Sequence, residues 1–400
     1  MGQAVGQITG LLPALPLPAP QETGIQHVVV VTMENRSFDH LLGWVPGADG
    51  KQAGLAFPDA SGRMHSTYHL TSYDSCANND PDHSYEGGRA ELDYGKADGW
   101  LLDPANDELA IGYFERADLA FFGKAVDDWT ICDRYFAATL GPTYPNRIYQ
   151  HAGATDRLEN TTNVSQLPTI WDRLAAKGLT GRYYFSDIPF LALWGSKHLS
   201  ISRRIEQFFS DAATGQLPDV AFVDPRFGGE DQGASNDDHP RADIRAGERF
   251  LNDVYDAVRT SPNWPNTVLV VTYDEWGGFF DHVVPAIAPD ASPLYARRGF
   301  RVPAVVVSPF AAKGAVDHTV YDHTSVLRLI EWRWGLDPLS PRDAGAANLV
   351  NALDLSRTRS DRPSYSVPTV APAVCVAGTP VGETEWADLA TTAKRLGFPL

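Results

Sequence analysis

Two short runs of β-branched residues, each followed directly by acidic or amide residues, constrain the fold of this chain most. His27 to Met33 reads HVVVVTM and precedes Glu34-Asn35, and Thr267 to Tyr273 reads TVLVVTY and precedes Asp274-Glu275. Continuous apolar runs, in contrast to alternating ones, are typical of strands buried on both faces of a largely parallel sheet. We therefore predict that both runs lie inside such a sheet.

Helical patterns alternate with the strand-like runs. Asp219 to Val223 and Val302 to Val307 have the same strand-like character. Apolar residues recur at helical spacing in Pro240 to Arg259, Leu167 to Lys177 and Thr324 to Trp334. This alternation predicts an α/β sandwich, in which a largely parallel central sheet is flanked by helices.

The rest of the chain predicts one domain with additions. Residues from about 45 to 125 are rich in Gly, Asp and Tyr and weakly periodic, and we interpret them as a long insertion over one edge of the sheet. After Pro338 the chain is rich in Pro and Ala until a last predicted helix, Glu383 to Arg395. We expect a catalytic domain over residues 25–335 and a C-terminal extension, residues 336–400, packed on it.

Composition excludes several classes of partner. The 400 residues include 33 Lys and Arg against 50 Asp and Glu, a net charge of −17 that opposes binding to nucleic acid and to anionic lipid. No run approaches the roughly 20 apolar residues that span a bilayer. The first basic residue is Arg36, so the apolar stretch Leu11 to Leu17 lacks the flank of a secretory signal. We expect a cytoplasmic protein, or a secreted one whose signal has been removed.

The cysteines are few and widely spaced. Cys76, Cys132 and Cys375 match no zinc-ligand pattern and no disulfide framework. Their spacing leaves open both a single disulfide bridge and three free thiols.

The polar residues after the two central runs are the first candidates for a functional site, because ligands of open α/β sheets bind beyond the carboxyl ends of strands. If the strands are neighbours, Glu34-Asn35 and Asp274-Glu275 converge there. Three carboxylates without a counter-charge repel one another, and a divalent cation removes that cost. Four oxygen ligands favour Ca²⁺, Mg²⁺ or Mn²⁺, with Zn²⁺ as an alternative. The competing interpretation is a set of turn and helix-capping residues.

A hydroxyl between two prolines is the second candidate. The segment Gly141 to Arg147 reads GPTYPNR, which places Thr143 between Pro142 and Pro145 with Arg147 four residues later. A phosphoryl-transfer nucleophile needs such a fixed position and a neighbouring group that binds anions. Threonine is a weak nucleophile and needs activation by a metal or a base. Taken alone, such a segment is more often an ordinary turn.

Three histidines, His83, His239 and His282, each follow an aspartate directly. A nearby carboxylate raises the pKa of a histidine and fixes its tautomer, which suits a general acid for a leaving oxygen. A surface ion pair is the alternative for any one of them.

Four segments together resemble a known family. In order, they read ENRSFDHLLG from Glu34, TYPNR from Thr143, DEWGGFFDHV from Asp274 and GFRVPAVVVSP from Gly299. They are similar to the four signature blocks of the bacterial and plant phosphoesterase family, which includes phosphatidylcholine-hydrolysing (non-specific) phospholipases C and related acid phosphatases. The resemblance spans roughly residues 25 to 335.

The resemblance implies an alkaline-phosphatase-like α/β fold and specific roles for these residues. It makes Thr143 the nucleophile of a phosphothreonine intermediate and places His83 and His239 as acid/base and phosphate-binding histidines. It implies substrate contacts for Arg147 and His282, although Arg147 can also serve only to support the Thr143 loop. The implied ligands of one divalent metal ion are Glu34, Asn35, Asp274 and Glu275.

The function expected from the resemblance is metal-dependent phosphate ester hydrolysis. The substrate would be a zwitterionic phospholipid such as phosphatidylcholine, or a small phosphate ester. An acid phosphatase acting on monoesters, a sulfatase-like hydrolase and a non-enzymatic metal-binding protein are the alternatives. A sulfatase requires Cys or Ser where this chain has Thr143. A group of aromatic residues can form either a cage for a quaternary ammonium group or ordinary packing: Tyr68, Tyr73, Tyr85, Trp100, Tyr183, Tyr184 and Trp194.

Overall fold

The computed structural model describes residues 17–371, 375 and 385–400. The apolar stretch Leu11 to Leu17 therefore lies outside the described residues, except for Leu17. Among the residues described, no helix is both long enough and apolar enough to cross a membrane.

Fourteen strands and ten α-helices are present in the described part of the chain. The strands are β1 His27–Met33, β2 Ala56–Pro58, β3 Met64–Ser66, β4 Tyr68–His69, β5 Gly112–Tyr113, β6 Thr130–Cys132, β7 Tyr135–Phe136, β8 Gly181–Phe185, β9 Ser202–Arg204, β10 Val220–Asp224, β11 Thr267–Tyr273, β12 Ala304–Val307, β13 Val316–Asp317 and β14 Tyr321–Asp322. The helices are α1 Phe38–Leu42, α2 Tyr85–Leu92, α3 Phe122–Asp128, α4 Thr143–Ala152, α5 Ile170–Ala176, α6 Ile205–Thr214, α7 Ile244–Thr260, α8 His323–Trp334, α9 Pro341–Ala344 and α10 Glu385–Leu396.

The central sheet has eight strands in the order β13-β6-β12-β11-β1-β10-β8-β9. β1 pairs in parallel with β11 on one side and with β10 on the other. β12 is antiparallel to both of its neighbours, β11 and β6, and the remaining pairs are parallel. The predicted α/β sandwich with a largely parallel central sheet is therefore confirmed, and the two β-branched runs are neighbouring central strands.

The helices begin where capping side chains allow. α7 begins at Ile244 because Asp243 accepts a hydrogen bond from Arg245 N at 3.0 Å, four residues after the predicted start at Pro240. Its predicted apolar stripe is buried. α8 begins at His323, capped by Asp322, and ends before Gly335, whose φ of +62° suits a helix terminus. α4 packs with α5 and α8, and α6 packs with α7.

The insertion after α1 packs against the segment that follows β11, at the carboxyl end of the central strands. A separate small core joins Trp100 of the insertion to Trp276 and Phe300, with ring centroids 4.6 Å apart for Trp100 and Phe300. Phe280 belongs to the same core, and its backbone N donates to Ala110 O at 2.9 Å. The insertion thus borders the end of the sheet where the polar residues converge.

One disulfide bridge joins the insertion to the C-terminal tail. It links Cys76 to Cys375, 299 residues later. Cys132 is a buried free thiol in β6. Of the two alternatives that the sequence left open, the structure shows the bridge.

Candidate active site

The two central strands end side by side and bring four polar residues together. Because Met33 pairs with Tyr273, the residues that follow each strand meet, and Asp274 N donates to Met33 O at 3.0 Å. Asn35 has a left-handed φ of +59°, and its backbone N donates to Asp274 Oδ1 at 3.2 Å. Glu34, Asn35, Asp274 and Glu275 are all fully buried. The predicted convergence is present.

A glycine makes this close approach possible. Gly277 N donates to Glu275 Oε2 at 2.6 Å and orients that carboxylate. A Cβ atom at Gly277 would lie 2.1 Å from the backbone oxygen of Asn35, and its φ of +66° also favours glycine. The segment after β11 can therefore pass this close to Asn35 only with glycine at position 277.

Oxygen atoms crowd together around the Asn35 side chain. One of the two terminal atoms of the Asn35 amide lies 2.9 Å from Glu34 Oε2 and 2.7 Å from Glu275 Oε1, and with nitrogen in that position Asn35 donates to both carboxylates. Asp274 Oδ2 makes no hydrogen bond and lies 3.4 Å from Arg147 Nε. Three buried carboxylates in one cluster repel one another, and a cation bound among them makes the arrangement favourable. The donor set consists of hard oxygens and fits a divalent ion of the Ca²⁺, Mg²⁺ or Mn²⁺ type.

Thr143 is the first residue of α4 and faces this cluster. Its Oγ1 donates to Glu34 Oε2 at 3.2 Å, and the residue is almost fully buried. Asn146 holds the preceding turn, because its Nδ2 donates to Gly141 O at 2.7 Å and its Oδ1 accepts from Thr139 N at 2.9 Å. The backbone N–H groups at the start of a helix favour a nearby anion. The hydroxyl is thus held at a helix N-terminus, a position that favours a nearby anion such as a phosphate group.

Arg147 lies one turn further along α4 and binds carboxylates of the protein. Its Nε donates to Glu34 Oε1 at 2.7 Å and its Nη1 to Asp224 Oδ1 at 3.1 Å, while Nη2 donates to Thr32 O at 3.2 Å. Burial alone would lower the pKa of Arg147, but Glu34 and Asp224 outweigh it and raise that pKa above its usual range. In this arrangement each guanidinium nitrogen already donates a hydrogen bond to a protein oxygen, and Arg147 fixes the orientation of Glu34.

Two of the predicted histidines border the cluster on the side of the insertion. His83 Nε2 and His239 Nε2 lie 3.3 Å and 3.1 Å from the Asn35 amide. His83 Nδ1 donates to Pro81 O at 2.8 Å, which turns Nε2 towards the cluster. His239 Nε2 lies 3.3 Å from Asp80 Oδ2. Burial is the main cause that lowers the pKa of His239.

The third predicted histidine lies in a different cluster. His282 Nδ1 donates to Asp39 Oδ2 at 2.5 Å, and its Nε2 lies 3.2 Å from Asp49 Oδ1. Arg301 donates to Asp39 and to Asp281 in the same cluster. The structure therefore does not bring His282 together with Thr143, and both of its ring nitrogens already face carboxylates.

Two triads of acidic and histidine side chains have ligand atoms within 4.8 Å of one another in the described part of the chain: Asp80–His83–His239 and Asp39–Asp281–His282. The carboxylates of Glu34, Asp274 and Glu275 are not one of these triads.

Sequence reasoning missed three residues near the cluster. Asp224 ends β10 and binds Arg147, Asp80 lies beside His239, and His323 Nε2 lies 2.5 Å from Asp274 O. The end of a buried strand was the available signal for Asp224, and the turn before His83 was the signal for Asp80. For His323 the sequence offered no signal except its position at the start of a helix.

Most of the aromatic residues considered for a cage are packed in the interior. Trp100, Tyr183, Tyr184 and Trp194 are buried. Tyr85 lies under the guanidinium of Arg89. These positions favour packing over a cage for those side chains.

The chain is similar to known proteins over most of its length. A family model described as the Phosphoesterase family matches residues 25–337. Non-specific phospholipase C6 of Arabidopsis thaliana is 31% identical over 88% of this chain and 76% of the relative. Non-hemolytic phospholipase C of Pseudomonas aeruginosa is 30% identical over 88% of this chain and 62% of the relative.

The solved structures that match this chain do so with low TM-scores and low sequence identity. The phosphonate monoester hydrolase of Agrobacterium radiobacter has a TM-score of 0.41 at 11% identity, covering 82% of this chain and 77% of that protein. A protein in the alkaline phosphatase superfamily from Vibrio parahaemolyticus has a TM-score of 0.36 at 11% identity, covering 80% and 76%.

Proposed function

The chain belongs to the phosphoesterase family, and on that premise we propose that it hydrolyses phosphate esters by phospholipase C-type cleavage. Relatives about 30% identical over most of the chain are named phospholipases C. The observation that carries the proposal is the hydrogen bond from Thr143 Oγ1 to Glu34 Oε2, at the start of a helix and beside the buried carboxylates of Asp274 and Glu275. A held hydroxyl, an anion-favouring helix terminus and a cation-binding oxygen set are what phosphoryl transfer needs.

The cation site is proposed to consist of Glu34, Asn35, Asp274 and Glu275. A divalent ion bound there supplies electrostatic stabilisation of the charge on the phosphoryl oxygens. Arg147 keeps the Glu34 carboxylate turned towards both the ion site and Thr143. Arg147 is therefore proposed to act through Glu34, and His282 is proposed to support the fold at a distance from the substrate.

The reaction is proposed to proceed in two displacements. Thr143 Oγ1 passes its proton to Glu34 Oε2, which returns it when the hydroxyl is regenerated, and forms a bond to phosphorus, while the bond from phosphorus to the leaving alcohol breaks. His239 or His83 gives a proton to the departing oxygen, since both rings border the cluster opposite the α4 turn. Water then attacks the phosphothreonine, the same histidine takes the proton from that water, and Thr143 recovers its hydroxyl.

An exposed apolar loop favours a lipid substrate over a soluble monoester. Residues 283–296 hold one charged residue, Asp290, which is buried and accepts from Tyr149 Oη at 2.5 Å. In the same loop Ile287 is 59% exposed and Leu294 45%. The loop ends beside the nucleophile turn, because Leu140 N donates to Arg297 O at 3.1 Å. A charge-free apolar surface next to a catalytic turn suits contact with a zwitterionic bilayer.

The proposed function is tested by hydrolysis of three substrates, each with and without a chelator. The substrates are p-nitrophenyl phosphorylcholine, p-nitrophenyl phosphate and phosphatidylcholine vesicles. We expect hydrolysis of both phosphorylcholine esters in preference to the monoester, and its loss with chelator and recovery with a divalent ion. Preference for the monoester would indicate an acid phosphatase. Hydrolysis of none would contradict the enzyme assignment.

The apolar loop is tested with a charge. Ile287→Asp should lower the rate on phosphatidylcholine vesicles about tenfold and leave the rate on p-nitrophenyl phosphorylcholine unchanged, because the lost contact is with the bilayer. Met64→Asp is the matched control, since Met64 is 56% exposed on β3 of the insertion. Equal loss in both variants, or none in Ile287→Asp, would contradict the role of the loop.

A further inference from the structure

Helix α10 lies beyond the residues that match the family model, yet it reaches the catalytic turn. Trp386, in its first turn, is 4% exposed. Its ring stacks on Phe227, with centroids 3.9 Å apart and planes 5° from parallel. The chain before α10 is also attached to the rest of the protein. Cys375 forms a disulfide with Cys76, and Cys375 N donates to Gln232 O at 2.9 Å. The helix is thus tied to the body of the protein on either side of residues 376–384.

The first route from Trp386 to the nucleophile passes through Tyr144. The two ring centroids are 5.5 Å apart and the planes meet at 69°, an edge-to-face contact. Tyr144 is fully buried and directly follows Thr143. Since Thr143 and Tyr144 share the first turn of α4, a shift of the tyrosine ring moves the backbone that carries the hydroxyl.

The second route passes through Arg147. The guanidinium carbon lies 4.7 Å from the Phe227 ring centroid and 5.9 Å from that of Trp386, so the stacked pair forms an aromatic wall beside the cation. The same guanidinium donates to Glu34 Oε1, and Glu34 Oε2 accepts from Thr143. The wall therefore sets the position of the arginine that orients Glu34.

We propose that Trp386 is a positioning residue for the reaction, and that α10 completes the catalytic turn from outside the family core. The inference rests on the proposed function for its kinetic readout. The indole positions both partners of the hydrogen bond from Thr143 Oγ1 to Glu34 Oε2. It acts on Thr143 through Tyr144 and on Glu34 through Arg147. A displacement of about 1 Å in a catalytic group costs on the order of a hundredfold in rate.

Kinetics on p-nitrophenyl phosphorylcholine test the proposal. Trp386→Ala should lower kcat by about 10- to 100-fold with KM changed by less than about threefold, because the displaced atoms act in the chemical step. Trp386→Phe, which keeps an aromatic face, should recover most of kcat. Leu389→Ala is the matched control, since Leu389 is a fully buried residue of the same helix. If Leu389→Ala lowers kcat as much as Trp386→Ala, the role is only structural.

A readout independent of activity separates this proposal from the proposed function. The Arg147 Nε–H resonance, assigned by its loss in Arg147→Lys, senses the ring currents of Phe227 and Trp386. It should move in Trp386→Ala and stay near its wild-type position in Leu389→Ala. If Trp386→Ala does not fold, Trp386→Leu serves in both experiments, because it fills space without an aromatic face. If the Arg147 resonance does not move in Trp386→Ala, the proposal is overturned whether or not the protein hydrolyses phosphate esters. If the resonance moves but the wild-type protein is inactive, only the proposed function is contradicted.

Discussion

Two buried acidic clusters are formed by the same two chain segments, those that follow β1 and β11. They differ in how many positively charged side chains offset their negative charge. In the first, Glu34, Asp224 and Asp274 share one cation, Arg147, and Glu275 Oε1 lies 3.8 Å from His83 Nε2. In the second, Arg301 Nε donates to Asp281 Oδ1 at 2.9 Å and Nη2 to Asp39 Oδ1 at 3.1 Å, and His282 donates to Asp39 as well.

The difference supports the proposal that the first cluster binds a ligand and that the second is structural. The second cluster contains its own counter-charges, so its members stabilise one another and join α1 to the segment after β11. In the first, three carboxylates share one guanidinium and Asp274 Oδ2 makes no hydrogen bond, an arrangement that costs stability in the absence of a ligand. A buried acidic cluster therefore indicates a ligand site where the protein supplies few counter-charges. It indicates a structural role where the protein supplies enough of them.

The largest expected effect comes from removing the hydroxyl at the first cluster. Thr143→Ala should lower kcat on p-nitrophenyl phosphorylcholine by about a thousandfold or more, because the proposed nucleophile is lost. The metal content of the purified protein should stay at the wild-type level. Thr139→Ala, a buried threonine in the same turn, is the control. Near-normal turnover in Thr143→Ala would contradict the two-displacement scheme.

A matched pair of neutralising substitutions tests the comparison directly through stability. Asp39→Asn should lower the free energy of unfolding by about 3 kcal/mol, because it leaves Arg301 and His282 short of a carboxylate. Glu275→Gln should keep or raise that free energy in chelator, because it removes one buried negative charge from a cluster of carboxylates, while activity is lost. Chemical denaturation of both variants measures the two values. Equal destabilisation would show that the first cluster is also internally balanced.

The smallest expected effect is a pH dependence of the second cluster. Burial alone would lower the pKa of His282, but its hydrogen bond to Asp39 and the charge of Asp281 outweigh burial and Arg301, and raise that pKa above 6.5. A raised histidine pKa means that its stabilising contribution is full below pH 6.5 and is lost as pH rises through the folded value.

The unfolding free energy of the wild type should therefore exceed that of His282→Gln by about 1 kcal/mol at pH 6, and the gap should narrow by pH 9. Denaturant titrations across that range measure it. His318→Gln is the control, since the His318 side chain is 61% exposed. A gap that does not change with pH would indicate that His282 contributes only as a neutral hydrogen-bonding group.

Sequence patterns predicted the parts of the fold that depend on local chemistry. β1 and β11 have the predicted bounds, because a run of β-branched residues buried on both faces specifies a central strand. The meeting of Glu34-Asn35 with Asp274-Glu275 followed from the same pattern, since it required only that these strands be neighbours.

What the sequence could not supply depends on partners distant along the chain. An apolar run such as β12 does not encode its direction, so its antiparallel pairing with β11 was not predictable. Cys76 and Cys375 are 299 residues apart, and nothing in that spacing selects them over Cys132. The sequence placed Arg147 near Thr143, but the burial of its guanidinium among carboxylates arises from β1 and β10 together.

The disulfide bridge also makes the molecule a covalent ring with two tails. Residues 76 to 375 are enclosed in the ring, whereas β1 lies on the N-terminal tail outside it. Yet β1 is in the middle of the sheet, between β11 and β10. If the bridge closes first during folding, the tail must still thread its strand into the gap between two strands of the ring. Glu34 and Asn35 then arrive with that strand, and the oxygen cluster forms only when the sheet is complete.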